Sequence, residues 1–197
     1  MKSDKSVHVV VDMLYDFIDG SLACLNSEAA VKESVKFINE NKGMEVVYIC
    51  DNHPANHSSF KEFGGIWPPH CVQETRGGSI HESFYKKVKD IAARPGISNL
   101  FLKGENPSTE QYSGYEAVSQ VSGTLDHFIQ SLSSIEKAAD VYVSGIATEF
   151  CINATVRDLA DSGRRVFLIA NALAYVDKDG HDKTLKELSS YKNVTII

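Results

Sequence analysis

The sequence is poor in several features that would have named a function class at once. It carries no long run of lysine or arginine, and 20 basic residues against 26 acidic ones leave a net charge of −6. Nucleic acid and anionic membrane are therefore not expected as partners. It has no long apolar stretch either. The run near the start, residues 7–11, is far too short for a signal-peptide core or a membrane span, so a cytoplasmic location is the default expectation. The four cysteines, Cys24, Cys50, Cys71 and Cys151, form no CxxC pair, which speaks against a zinc finger. Without a secretory signal a disulfide framework is not expected. Repeats and low-complexity tracts are missing. What remains, 43% hydrophobic and 23% charged over 197 residues, is ordinary for one globular domain spanning 1–197.

What is present is an alternation of short apolar runs with amphipathic stretches. Strands are predicted at 7–12 (VHVVVD), 45–50 (EVVYIC), 98–103 (SNLFLK), 140–144 (DVYVS), 165–170 (RVFLIA) and 193–196. Helices are predicted at 27–42, 124–137, 149–162 and 179–191. The first of these has Ser27 as a cap, Val31, Val35 and Ile38 on one face and Gly43 as a stop. Residues 52–79, with Pro54, Pro68, Pro69 and four glycines, read as a long loop region. Strands that are apolar throughout and separated by helices imply an α/β fold with a parallel sheet covered on both faces. In such sheets the ligand crevice lies beyond the carboxyl ends of the strands.

Chemistry collects at those ends. Asp12 ends the first strand, Asp51 and His53 follow the second, Lys103 ends the third, and Gly145-Ile146-Ala147-Thr148-Glu149-Phe150-Cys151 follows the fourth. A strand-end charge alone is usually solvated. An acid, a carboxylate–imidazole pair, a lysine and a cysteine on one edge are harder to assign to chance. Cys151 falls in the first turn of a predicted helix, where free N–H groups and the helix dipole favour a thiolate and can hold an oxyanion. Asp12 could take the thiol proton and later deliver it to a leaving amine, with Lys103 holding both by charge. In an extended segment Asp51 and His53 point the same way and could meet one ion; His57 and His70 lie further along the same region. Phe17 and Trp67, in loops at the ligand edge, could sandwich a flat ring.

Six segments carry a specific resemblance: Val11-Asp12-Met13-Leu14-Tyr15-Asp16-Phe17, Asp51-Asn52-His53-Pro54-Ala55-Asn56-His57-Ser58-Ser59-Phe60, Trp67-Pro68-Pro69-His70-Cys71-Val72, Lys103-Gly104, Tyr112-Ser113-Gly114-Tyr115, and Gly145 to Cys151. In this order they resemble the nicotinamidase/pyrazinamidase group of the isochorismatase-like cysteine hydrolases. The resemblance implies a Rossmann-like three-layer sandwich with a mainly parallel six-stranded sheet. It implies a catalytic triad of Asp12, Lys103 and Cys151, with an oxyanion hole from the N–H groups of Ala147 and Cys151 and a cis peptide between Ile146 and Ala147. It implies one divalent metal, zinc first and iron or manganese as alternatives, on Asp51, His53 and His70, with His57 as a fourth ligand or a support behind the ligands. Phe17, Trp67 and Tyr112 would contact the substrate, a small molecule such as nicotinamide, and a homo-oligomer is compatible with the family. The reaction implied is hydrolysis of nicotinamide to nicotinate and ammonia through a thioester, in NAD salvage. A related amidase acting on a carbamoyl or ureido compound is the alternative. Two departures stand out. Met13-Leu14-Tyr15 occupies the place where the family usually has Gln or Asn, and Glu149-Phe150 stands where Asp and Tyr or His are common.

Overall fold

The apolar runs become the sheet. The computed structural model describes residues 5–134 and 138–197. Six strands run parallel: β1 (Ser6–Val11), β2 (Glu45–Asp51), β3 (Leu100–Lys103), β6 (Asp140–Gly145), β7 (Val166–Leu173) and β8 (Val194–Ile196). Two further strands of two residues each, β4 (Val118–Ser119) and β5 (Gly123–Thr124), add an antiparallel edge beside β3. The sheet is therefore eight-stranded rather than six-stranded, in the order β5-β4-β3-β2-β1-β6-β7-β8. The extra pair escapes the sequence pattern because two residues are too few to display a period of two.

The helices are α1 (Tyr15–Ile18), α2 (Ser27–Glu40), α3 (Ser83–Lys86), α4 (Leu125–Leu132), α5 (Asn153–Asp161) and α6 (Lys178–Leu188). Alternate strand residues feed two cores, as a pleat requires. Val7, Val9, Val11, Val47 and Ile49 pack with Leu125 and Ile129 of α4, Val156 and Leu159 of α5 and Leu188 of α6. Val10, Val46, Tyr48 and Cys50 face the other way, onto Ile18 of α1, Val31, Val35 and Ile38 of α2 and Phe84 of α3. The result is the expected three-layer α/β arrangement. The helix predicted at 124–137 begins as anticipated, with the Thr124 hydroxyl capping His127 N–H, but ends at Leu132; residues 135–137 lie outside the described residues. No helix among the described residues is long and apolar enough to cross a membrane.

The chain starts in the middle of the sheet, runs outward through β2 and β3, then returns to the other side of β1 with β6. Strand order thus reverses between β1 and β6, the place where open sheets of this kind form their crevice. Here the backbones come close: a Cβ at Gly145 (φ +143°) would lie 2.1 Å from the Val11 carbonyl oxygen, so only glycine fits.

Beneath the crevice, His8 on β1 is fully buried. It shares a hydrogen bond of 2.8 Å with Ser144 Oγ, which is 2.9 Å from Ser34 Oγ on α2. Burial pushes the His8 imidazole from its ordinary 6.5 down to about 3. Between those two values the unfolded chain binds a proton that the folded chain refuses, so this residue lowers stability as pH falls through that window. We expect the His8→Leu protein to lose less stability than wild type between pH 6 and pH 4, with a slope shallower by about one proton. Denaturant midpoints measured across that range check this; identical slopes would refute it.

Candidate active site

The ends of β1, β2 and β3 each carry a charged group, and the register brings them together. Asp51 at the end of β2 lies opposite Lys103 at the end of β3. Asp12 leaves β1 in the left-handed region at φ +51°, a conformation a non-glycine residue adopts only when its surroundings hold it. Two hydrogen bonds do so: its N–H donates to Ile49 O at 2.9 Å, and its Oδ1 accepts from Asp51 N–H at 2.9 Å. Lys103, 1% exposed, sends its ammonium into the middle. Nζ lies 3.0 Å from Asp12 Oδ2, in contact with Asp51 Oδ1, 3.3 Å from Gln111 O and 3.5 Å from Cys151 Sγ. The carboxylates of Asp12 and Asp51 and the thiol of Cys151 have ligand atoms within 4.8 Å of one another.

Cys151 sits in a single π-type turn, Thr148–Ile152, that precedes α5; such turns are frequent at functional sites. The Ile146–Ala147 peptide before it is cis. The helix-start position predicts a lowered thiol pKa, and the structure reverses that. Burial pushes the Cys151 thiol well up against the pull of Lys103, and the Asp12 and Asp51 charges push the same way as burial. Cys151 at rest is a thiol. Burial and the neighbouring Asp51 raise the Asp12 carboxyl to about 6 against the pull of Lys103. Burial pushes Asp51 up too, but Lys103 and His53 more than offset it and hold it below the usual carboxylate range. Burial pulls Lys103 down, yet the two carboxylates win and keep it firmly cationic.

Asp51, His53 and His70 form a second group whose ligand atoms lie within 4.8 Å of one another. Their fit to a cation follows from their hydrogen bonds. His53 Nδ1 donates to Gly104 O at 2.8 Å, which in the neutral ring leaves the lone pair on Nε2; that buried nitrogen has no hydrogen-bond partner and lies 3.5 Å from Asp51 Oδ2, where burial pulls the imidazole pKa down but the Asp51 carboxylate more than offsets it and raises it. His70 Nδ1 donates to Pro68 O at 2.9 Å and so also keeps its lone pair on Nε2. Both tautomers are set by carbonyls, the usual preparation of an imidazole ligand. The buried cluster also holds two carboxylates against one ammonium, an excess of negative charge that a divalent cation offsets. His57 stands outside the trio. Its Nε2 donates to Thr109 O at 3.2 Å and its Nδ1 accepts from the Ser59 N–H and hydroxyl, so both nitrogens are engaged. Its ring stacks on His53 with centroids 4.1 Å apart.

A cavity of about 240 Å³ joins the two groups, lined by Cys151, Ala147, Asp51 and His70 and walled by Phe17, Trp67, Tyr112 and Phe150. Trp67 Nε1 donates to Tyr112 Oη at 3.2 Å, and both rings pack against Phe150. Of the site residues expected from the sequence, Phe17, Asp51, Trp67, His70, Tyr112, Ala147 and Cys151 line this cavity; Asp12, Lys103 and His53 touch lining residues, and His57 reaches it only through the His53 ring. Sequence reasoning missed the lining residues Ser21–Cys24, Glu110, Phe150 and Val176; only Phe150, beside the nucleophile, had a positional signal. Of the two departures, Met13 and Leu14 are buried away from the cavity, and Tyr15 packs under Arg76 and accepts from Glu82 N–H. Glu149 accepts the N–H groups of Val176 and Asp177 and so anchors the rim near the cavity.

Known proteins are similar to this chain in sequence and fold. The family model described as the isochorismatase domain matches residues 117–197. A nicotinamidase of Escherichia coli (strain K12) is 28% identical over 193 residues, covering 88% of this chain and 85% of the relative. The crystal structure of a pyrazinamidase of Pyrococcus horikoshii in complex with zinc is 31% identical, superposes with a TM-score of 0.80 and covers 98% of each chain. A chain from L. infantum, solved in complex with nicotinate, is 27% identical with a TM-score of 0.83, covering 100% of this chain and 94% of that one. The chain belongs to the isochorismatase-like cysteine hydrolases, within their nicotinamidase/pyrazinamidase group.

Proposed function

We propose that the protein is a metal-dependent amidohydrolase that converts nicotinamide to nicotinate and ammonia through a thioester on Cys151. The observation that carries this reading is one small cavity with a thiol on one side, a carboxylate–imidazole group on the other and aromatic walls between. Its volume falls below the range of about 300–1,000 Å³ typical for drug-sized ligands, which suits a single-ring amide. Relatives named for nicotinamide and pyrazinamide hydrolysis, one solved with zinc and one with nicotinate, support the same substrate class.

Asp51, His53 and His70 would hold the metal, zinc first, with His57 bracing the His53 ring from behind. When bound, a divalent ion there supplies a Lewis-acidic anchor for the ring nitrogen. Phe17, Trp67 and Tyr112 confine the ring so that the carboxamide meets Cys151. Asp12 takes the proton from Cys151 Sγ, and the sulfur attacks the carboxamide carbon. Lys103 keeps the carboxylate and developing thiolate in place and balances their charge. The N–H groups of Ala147 and Cys151 would receive the oxyanion. As the C–N bond breaks, Asp12 returns the proton to the leaving nitrogen and ammonia departs, leaving a thioester. Water then attacks with Asp12 as base, the C–S bond breaks, the thiol regains its proton and nicotinate is released.

Ammonia release from nicotinamide tests this directly. Cys151→Ala should lower kcat by about 10⁴-fold or more while leaving the circular dichroism spectrum unchanged; full activity in that variant sinks the mechanism. His53→Ala should raise KM for nicotinamide by about tenfold or more, and an unchanged KM counts against ring anchoring at the metal. Treatment with a chelator should abolish turnover and added zinc should restore it. A protein that stays fully active after verified metal removal overturns the metal's role.

A further inference from the structure

Asp16 takes no part in the reaction described above and does not line the cavity. Its carboxylate nevertheless sits between the two loops that form the His70 side of the site. Oδ2 accepts a hydrogen bond from the Cys71 N–H at 2.7 Å, and Oδ1 accepts one from the Ser21 N–H at 3.2 Å. The Ser21 hydroxyl in turn donates to the Pro69 carbonyl at 2.8 Å. The peptide held by Asp16 is the one that immediately follows His70. The other side of Cys71 is held as well: its carbonyl accepts from the His53 N–H at 3.0 Å, and His53 pairs with Val72 as in a parallel ladder.

Cys71 is thus clamped with Asp16 on its N–H and His53 on its C=O. It adopts φ +47°, a left-handed conformation that a β-carbon disfavours and that these contacts must maintain. The chain leaves room for the clamp. A Cβ at Gly77 would lie 1.9 Å from Asp16 Oδ2, and one at Gly20 would lie 2.4 Å from Oδ1. Both loops close on this carboxylate where a larger residue would displace it.

We propose that Asp16 is a positioning residue for the metal site: its carboxylate fixes the His70–Cys71 peptide against His53, so that both imidazoles present to one ion. The proposal rests on the reading of Asp51, His53 and His70 as metal ligands. Removing Asp16 leaves the Cys71 N–H unpaired and frees the His70 loop to turn away, with no loss of a ligand or a catalytic group.

The test is zinc affinity, measured by competition with a chelator, for wild type, Asp16→Ala and Asp16→Asn. The absorption spectrum of the cobalt-loaded proteins and thermal melts of the metal-free proteins accompany it. Asp16→Ala should bind zinc about 10- to 100-fold more weakly, with an altered cobalt spectrum. Its loss of nicotinamide hydrolysis should appear mainly in KM. Asp16→Asn, whose amide oxygen can still accept from Cys71, should recover most of the affinity. If Asp16→Ala does not fold, Asp16→Asn and Ser21→Ala decide. Ser21→Ala removes only the strap to Pro69 and should weaken zinc by about two- to tenfold. Wild-type zinc affinity and cobalt spectrum in Asp16→Ala, or in both substitutes, overturn the proposal while the function stands. A wild-type protein that binds no divalent metal overturns the metal reading itself, and this inference with it.

Discussion

The buried ammonium of Lys103 is the constraint around which the site is arranged. A charge taken out of water costs on the order of several kcal/mol unless its partners are close and well placed. Here the partners are Asp12 and Asp51, and both are buried too. The three cannot be separated: removing one leaves the others uncompensated. Their arrangement sets the protonation of everything nearby. Asp51 stays ionised because Lys103 touches it, Asp12 is lifted toward neutrality because it is buried with Asp51 beside it, and the Cys151 thiol is kept protonated by burial and both acids. The outcome is a protonated thiol beside a carboxyl raised to about 6, the pair that the proposed reaction requires.

The sheet makes that cluster possible. Parallel register sets Asp51 opposite Lys103 and Val11 opposite Gly145, so three strand ends and the turn that carries Cys151 converge without a long loop to order. The reversal of strand order beside β1 opens the crevice above them, and the absence of a side chain at Gly145 lets the Ile146–Cys151 segment approach Val11. The sheet therefore positions the groups to which the proposed proton transfer is assigned.

The loops supply the rest. Residues 52–79 carry His53, His57, Trp67 and His70, held by hydrogen bonds and by the fully buried Phe60, whose ring packs on all three histidines. Carbonyls of Gly104 and Pro68 select the imidazole tautomers, Asp16 and Ser21 tie the His70 loop to the segment after α1, and Glu149 holds the opposite rim through Val176 and Asp177. The unusual Met13-Leu14-Tyr15 belongs to the core and to the packing against residues 76–82. It changes what supports the first strand's exit and leaves the cavity wall untouched.

Much of this was written in the sequence. Apolar runs with helical stretches between them determine six parallel strands covered on both sides, because a strand buried on two faces must be apolar throughout. Residue type and strand-end placement determine that Asp12, Asp51, Lys103 and Cys151 meet at one edge. The short edge strands β4 and β5 and the one-turn helices α1 and α3 lie below the length at which a period can be read. Three matters were left to tertiary structure. Only the depth of the site decides that the thiol is protonated rather than ionised, since burial and neighbouring carboxylates act through space and outweigh the local helix start. Only the meeting of distant loops decides that His57 braces His53 while His70 joins Asp51, since both histidines look alike along the chain. And only contacts between residues more than fifty positions apart assign Asp16 its place behind His70, because a carboxylate's partner is chosen by where the chain returns and not by its neighbours in sequence.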